Sequence, residues 1–408
     1  MEAVSFDNLA IVCAVAFAAP LLLGFAPWLR APSVLIEILA GVVLGPSLLG
    51  WVEADTAVQV LSLIGVGYLL LLAGLEIDFD QLRGAVLRVA LLGFVLSFVL
   101  ALVVAYTLSG AGVISSPFLI AVVLSATSLA VLLPLLKDAG LIESRFGQVV
   151  IAGASIADVA TVVLLSLFFS GQETSLESRF VLFGGFGLLC LVTAVLIVAG
   201  GRIGHISSVL VQLQDTTAQI RVRGTFLLLL LFSILAQRFG LEAILGTFLV
   251  GAILKLADRD QAMTHSHFHA KLEEAGFGFF IPVFFVSSGV RLDAHALVAS
   301  GATLAKVPLF LLAIYLIRGV PAMLYRPLIG LRLTFAAAAL QATTLSFVLI
   351  ASQIGEQLGL INAATAAALT AAALASVLIN PVIAISLLQS PTPAPAGGFD
   401  GRPAVGSS

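Results

Sequence analysis

Charge is scarce in this chain. Only 10% of its 408 residues are Asp, Glu, Lys or Arg, where a soluble domain has about a quarter. There is no basic excess: 19 Lys and Arg stand against 22 Asp and Glu, for a net charge of -3, which argues against nucleic acid as a partner. Cysteine is nearly absent too. Cys13 and Cys190 both lie in apolar stretches, so a disulfide scaffold, a zinc site and an iron–sulfur site are all unsupported. The N-terminus lacks the basic start of a cleaved signal, and the first apolar segment reads as a retained span. What is present is hydrophobic residues, 60% of the chain. The sequence is that of an all-α polytopic membrane protein whose surroundings are the lipid bilayer.

A bilayer-crossing helix needs about 20 apolar residues. About thirteen candidate segments follow one another, centred near residues 18, 41, 67, 98, 126, 159, 191, 230, 249, 280, 314, 343 and 374. The second, ninth and tenth are short. Residues 1–390 form the membrane domain, and the Pro/Gly/Ser-rich stretch 391–408 reads as a disordered tail. Positive residues orient such a chain. Alternate loops and the tail hold Arg30, Arg83, Arg88, Lys137, Arg145, Arg202, Arg221, Arg223, Lys255, Arg259, Lys271, Arg326, Arg332 and Arg402. The opposite loops hold only Arg179, Arg238 and Arg291. The expected topology has the N-terminus outside and the C-terminus cytoplasmic, in the plasma or inner membrane.

Asp158 sits inside the apolar stretch "ASIADVATVV". A central Asp costs roughly 2.5 to 3.5 kcal/mol on insertion scales. It lies about eleven residues into the sixth segment, or roughly 16 Å at 1.5 Å per residue, near the bilayer centre. Intramembrane carboxylates mark ion and proton paths, and a carboxyl group that holds either a proton or a small cation is a coupling device. Arg318, at a similar depth in the eleventh segment, is the expected charge partner. Lys306, near the outer end of that segment, is the weaker choice.

Two apolar segments are interrupted by small polar clusters. The fifth, "LSATSLAVLLPLL", carries Ser125, Thr127 and Ser128 before Pro134, and the twelfth, "ALQATTLSFVL", carries Gln341, Thr343, Thr344 and Ser346. Hydroxyl side chains also bond back to their own helix or join neighbouring helices. The pairing is more informative, because segments seven apart run in opposite directions. Interrupted helices at matching positions of inverted halves point to a secondary-transporter site. Weaker features remain. Glu37 is expected at the cytoplasmic interface and Glu242 at the outer one. "GVVLG" at residues 41–45 fits close helix packing. Asn380 precedes Pro381 in the last segment. His265, His267 and His269 alternate in what reads as a solvated cytoplasmic loop without a nearby carboxylate.

The sequence resembles the bacterial monovalent cation:proton antiporters that share the sodium/hydrogen exchanger transmembrane domain. The stretches carrying the likeness are "EILAGVVLGPSLLG", "LLLLAGLEIDFDQLR", "LSATSLAVLLPLLKDAGLIESRFGQ", "ILGTFLVGAIL" and "FIPVFFVSSGVRLD", within residues 8–388. The resemblance implies about thirteen helices in inverted repeats with two crossing broken helices. It also implies a homodimer and an elevator-like movement of a core domain. Asp158 matches the family's cation- and proton-binding Asp, Thr127 and Ser128 match the broken-helix residues beside it, and Arg318 matches the basic position. The expected binding set is Asp158, Thr127, Ser128 and Ser155, with transported Na+ or K+ and H+ and no cofactor. Two positions depart from the pattern. Ala157 replaces the usual polar neighbour of the key Asp, and Thr344, Leu345 and Ser346 stand where Arg-Gly-Glu is common. No attached nucleotide-binding domain is expected.

Three function classes compete. A cation:proton antiporter needs one titrating carboxylate at the crossing, and Asp158 supplies it. A cation-coupled solute symporter on a similar fold would favour more polar or aromatic groups than two Trp and four Tyr offer. An intramembrane aspartyl protease would be an enzyme with two Asp residues sharing a proton, whereas only Asp158 lies deep in a segment. The antiporter reading, non-enzymatic and electroneutral, fits best.

Overall fold

Continuous apolar sequence without water requires every backbone amide and carbonyl to be satisfied within the protein, and helices do this locally. The computed structural model describes residues 6–25, 33–75, 84–169, 176–201, 219–257 and 266–389, and no strand occurs among them. Arg30, Arg83, Arg202, Arg259, Arg402, His265 and the 391–408 tail lie outside the described residues. The first half comprises α1 (Asp7–Phe25), α2 (Ser33–Leu44), α3 (Thr56–Leu75), α4 (Gly84–Gly110), α5 (Pro117–Leu124), α6 (Leu129–Asp138) and α7 (Arg145–Phe168). Then follow α8 (Leu176–Gly201), α9 (Ile220–Arg238), α10 (Ala243–Ala257), α11 (Ser266–Ala275), α12 (Ile281–Arg291) and the short α13 (Ala294–Val298). The last part holds α14 (Gly301–Ile314), α15 (Arg326–Ile329), α16 (Leu331–Gln341), α17 (Ser346–Gln357) and α18 (Ala363–Gln389).

Among the described residues, eight segments are long and apolar enough to cross a membrane, and three shorter apolar helices accompany them. The second and ninth segments are short as expected, at 12 and 15 residues. The tenth is not. α11 runs into α12 through a π turn at Gly276–Phe280 without a break, and its polar first turns had hidden that length. His267 and His269 are therefore helical, not in a loop, and His269 Nδ1 lies 3.4 Å from Glu273 Oε1 one turn on. α18 likewise continues through Pro381.

The halves are related by inverted packing. α2 lies along α12, and α3 lies along α10. Exchanging helices seven segments apart maps one pair onto the other. Both contacts are made through glycine. A β-carbon on Gly41 would overlap the Val286 carbonyl, and one on Gly289 would overlap that of Ile38. In the partner pair, Gly74 meets the Phe248 carbonyl and Gly251 that of Leu71. The "GVVLG" stretch is thus half of a backbone-to-backbone seam. These helices, with α1 and α9, form a panel. α4 packs on α7 and α14 on α18 in the same reciprocal way, and these helices, with α5, α6, α16 and α17, form a core. α5 breaks into α6 at residues 125–128, and α16 breaks into α17 at residues 342–345.

Candidate ion-binding site

Neither break is caused by proline or glycine. Each forms where the backbone finds a partner in the other. Ser125 closes α5, its N–H bonded to the Ala121 carbonyl at 3.1 Å and its hydroxyl to that of Val122 at 2.9 Å. Beyond it, the Ser128 N–H donates to the Thr343 carbonyl at 2.9 Å. The Thr127 hydroxyl donates to the Gln341 carbonyl at 2.7 Å, and the Ser128 and Ser346 hydroxyls lie 3.4 Å apart. The second break is also held by α18. Ser376 Oγ accepts from the Thr344 N–H at 3.1 Å and donates to the Thr344 carbonyl at 3.0 Å. All four predicted twelfth-segment residues, Gln341, Thr343, Thr344 and Ser346, thus gather at the crossing, together with Thr127 and Ser128.

The two breaks leave four half-helix ends near one point. The amino end of α6 faces the carboxylate: the Leu129 N–H donates to Asp158 Oδ2 at 3.3 Å. A helix start carries about half a positive charge, so an anion is stabilised there. Asp158 is half-buried, whereas Ala157 beside it is fully buried. Where the family pattern has a polar neighbour, this chain has a methyl group packed inside. Ser155 is buried and opens on an apolar cavity of about 570 Å³ between α7, α8 and α10, lined also by Val159, Cys190 and Phe248.

Arg318 occupies the opposite pole. It lies in a π turn, Tyr315–Gly319, and is only 4% exposed. Its Nε donates to Thr127 Oγ1 at 2.7 Å and its NH2 to Gln341 Oε1 at 2.6 Å. Weaker bonds reach Ser97 Oγ at 3.2 Å and the Gln341 carbonyl at 3.4 Å. The guanidinium therefore sits at the carboxyl end of α16, where a cation is favoured, and Asp158 lies within its electrostatic reach. The Thr127 hydroxyl is engaged twice, donating to Gln341 and accepting from Arg318. Lys306 is remote from this network and donates to Thr365 Oγ1 at 3.1 Å.

Four participants were not singled out from sequence. Ser97 is a single hydroxyl in the apolar middle of α4, with no pattern to mark it. Tyr325 and Gly153 act together, since a β-carbon on Gly153 would strike both the Tyr325 hydroxyl and Gln341 Nε2. The missing side chain lets Gln341 reach the Val150 carbonyl at 3.0 Å. Ser376 lies in an alanine-rich helix that reads as packing. Among the described residues no group of three His, Cys, Asp or Glu could hold a metal ion.

Two crossing, interrupted helices in inverted halves, with one carboxylate at a half-helix start, define a secondary-transporter architecture. The family described as sodium/hydrogen exchanger, transmembrane, matches residues 13–389, and the chain belongs to that family. YjbQ of Bacillus subtilis, a protein named for Na+/H+ antiport, is 33% identical over 401 residues, covering 94% of this chain. The chain spans 63% of YjbQ's length. The Na+/H+-K+ antiporter GerN of Bacillus cereus is 28% identical over 269 residues, 65% of this chain and 66% of GerN. The fold is also that of the sodium proton antiporter MjNhaP1 of Methanocaldococcus jannaschii, with a TM-score of 0.66 at 15% identity over 94% of this chain and 98% of that one.

Proposed function

We propose that the protein is a secondary antiporter exchanging Na+ or K+ for H+, with Asp158 holding cation and proton in turn. The observation that carries this reading is the Asp158 carboxylate at the start of α6, beside the crossing of the two breaks. A cation bound there would take a carboxylate oxygen together with oxygens from Ser128, Ser346 and Ser155. On protonation the carboxylate loses its charge and releases the cation. Thr127, Gln341 and Arg318 hold the crossing in register, and Arg318 balances the charge that Asp158 gains and loses. The core would carry the carboxylate past the panel in an elevator-like movement, as one of two subunits in a homodimer. The chain lies in the bacterial plasma membrane with its N-terminus outside.

With Ala157 beside it, Asp158 is the sole carboxylate at the crossing among the described residues. One cation one way and one proton the other way cancel, so the exchange is electroneutral. Moving a net charge against 100 mV involves about 2.3 kcal/mol, which a clamped potential would reveal. The test is purified protein in liposomes, with an internal pH dye and Na+, K+ or Li+ added in turn. A cation-driven pH change that vanishes in Asp158→Asn and ignores the imposed potential is expected. Wild-type exchange in a folded Asp158→Asn protein removes the mechanism, and a steep dependence on potential removes only the stoichiometry.

A further inference from the structure

Asp158 is not the most deeply buried carboxylate. Glu37, on α2 in the panel, is 3% exposed and accepts no hydrogen bond from any described residue. It lines a cavity of about 420 Å³ between α1, α2 and the π turn that leads into α12. An unpaired carboxylate in an apolar interior is strongly disfavoured, and the rest of the cavity wall indicates what offsets the cost. Pro20 and Pro282 both line it. Each proline lacks an amide: in α1 this removes the donor four residues on from Ala16, and beside the π turn, where the Ile281 N–H bonds five residues back to the Gly276 carbonyl, it removes the donor to the Phe277 carbonyl. Ala16 and Phe277 both line the cavity. Ser33 adds a hydroxyl one turn before Glu37. The wall therefore offers a carboxylate, a hydroxyl and two backbone carbonyls freed from their regular helical donors. Among the described residues no basic side chain lines it: α1 carries only Asp7, α2 only Glu37, and residues 276–290 carry no charge.

We propose that this cavity is a second monovalent-cation site, separate from the transport site. Hard oxygen ligands suit an alkali cation. One carboxylate supplies one negative charge, so a monovalent ion leaves the site neutral and a divalent ion does not. Freed helix carbonyls coordinate Na+ in the same manner in interrupted membrane helices. A proton on Glu37 competes for the site. The cavity belongs to the panel, and α2 and α12 are locked together at Gly41 and Gly289 directly beyond it. The bound ion therefore stays with the panel when the core moves, and it sets the packing of the α1–α2–α12 corner instead of being carried.

The test is equilibrium binding of radioactive sodium, and of rubidium as the larger ion, to purified protein in lipid nanodiscs. The wild type should bind two ions per chain, Glu37→Gln one, Asp158→Asn one, and the double variant none. Glu37→Gln is an uncharged replacement of the same shape, and folding is unthreatened. An independent readout uses Cys13, which lines the cavity, in a Cys190→Ser background. Saturating sodium or rubidium should slow maleimide modification of Cys13 several-fold, and Glu37→Gln should abolish that protection while Asp158→Asn keeps it. Wild-type stoichiometry in Glu37→Gln, or loss of all binding in Asp158→Asn, overturns the proposal. Absence of exchange with intact Glu37-dependent binding would overturn only the transport reading.

Discussion

The core and the panel solve the same problem, close helix contact without water, by opposite means. In the core, α5/α6 and α16/α17 give up helical continuity and bond each other's backbones, with Thr127, Gln341 and Arg318 joining the pieces. In the panel, α2/α12 and α3/α10 keep their helices and remove side chains, letting glycine bring backbone against backbone. The first solution leaves polar groups where an ion can use them. The second leaves a rigid wall. The carboxylate of each region follows suit: Asp158 has a backbone donor, and Glu37 has a cavity.

The largest expected effect separates the two carboxylates. Asp158→Asn should abolish exchange, whereas Glu37→Gln should leave it running, measured side by side in proteoliposomes. Next comes the wall. Gly289→Leu forces α12 off α2, and overpacking of this kind costs about 1–3 kcal/mol or more. Denaturation midpoints in detergent should drop, while Gly184→Leu, a position with open space around it, should be neutral. Arg318→Ala removes a charged donor from Thr127 and Gln341, at about 1.5–3 kcal/mol per bond to a charged group. Turnover should fall steeply, and Arg318→Lys should restore part of it, since a single ammonium cannot reach every acceptor.

The smallest effect lies outside the membrane. Asp55 caps α3, its Oδ1 accepting from the Val58 N–H at 3.0 Å and its Oδ2 from the Asn8 amide at 3.0 Å. The Val58 N–H, with lesser help from Asn8 and the Ala57 N–H, holds its carboxyl below the usual carboxylate range against the opposing effect of burial. A depressed folded-state value gives stability that is present above the unfolded value, about 3.9, and is lost as pH falls through the folded one. Asp55→Ala should cost about 1 kcal/mol at pH 7. The gap in melting temperature between the two proteins should close on acidification.

The crossing of the two breaks was more legible in the sequence than its surroundings. Asp158 stood out because a charge in an apolar run has no cheap explanation, and the two polar clusters stood out as a matched pair. Ser97, Ser376 and Gly153 did not, because a small residue in a membrane helix looks the same whether it packs or bonds. The burial of Glu37 was not legible. Counting residues from a segment end places a carboxylate along the helix axis but says nothing about which neighbours cover it. The tenth segment was misjudged in length, since its amphipathic start hid a helix continuing through a π turn.

The mutual bonding of the breaks also sets an order of events at birth. Thr127 and its acceptor Gln341 are 214 residues apart. At 5–20 residues per second, the first break is complete roughly 10 to 40 s before its partner leaves the ribosome. Over that interval the Ser128 amide and the Thr127 hydroxyl have no Thr343 or Gln341 to bond. The first half is then expected to wait as a continuous helix until the second half arrives. Unwinding at residues 125–128 is then a late step of assembly, and a chain truncated before α16 should hold α5 and α6 as one uninterrupted helix.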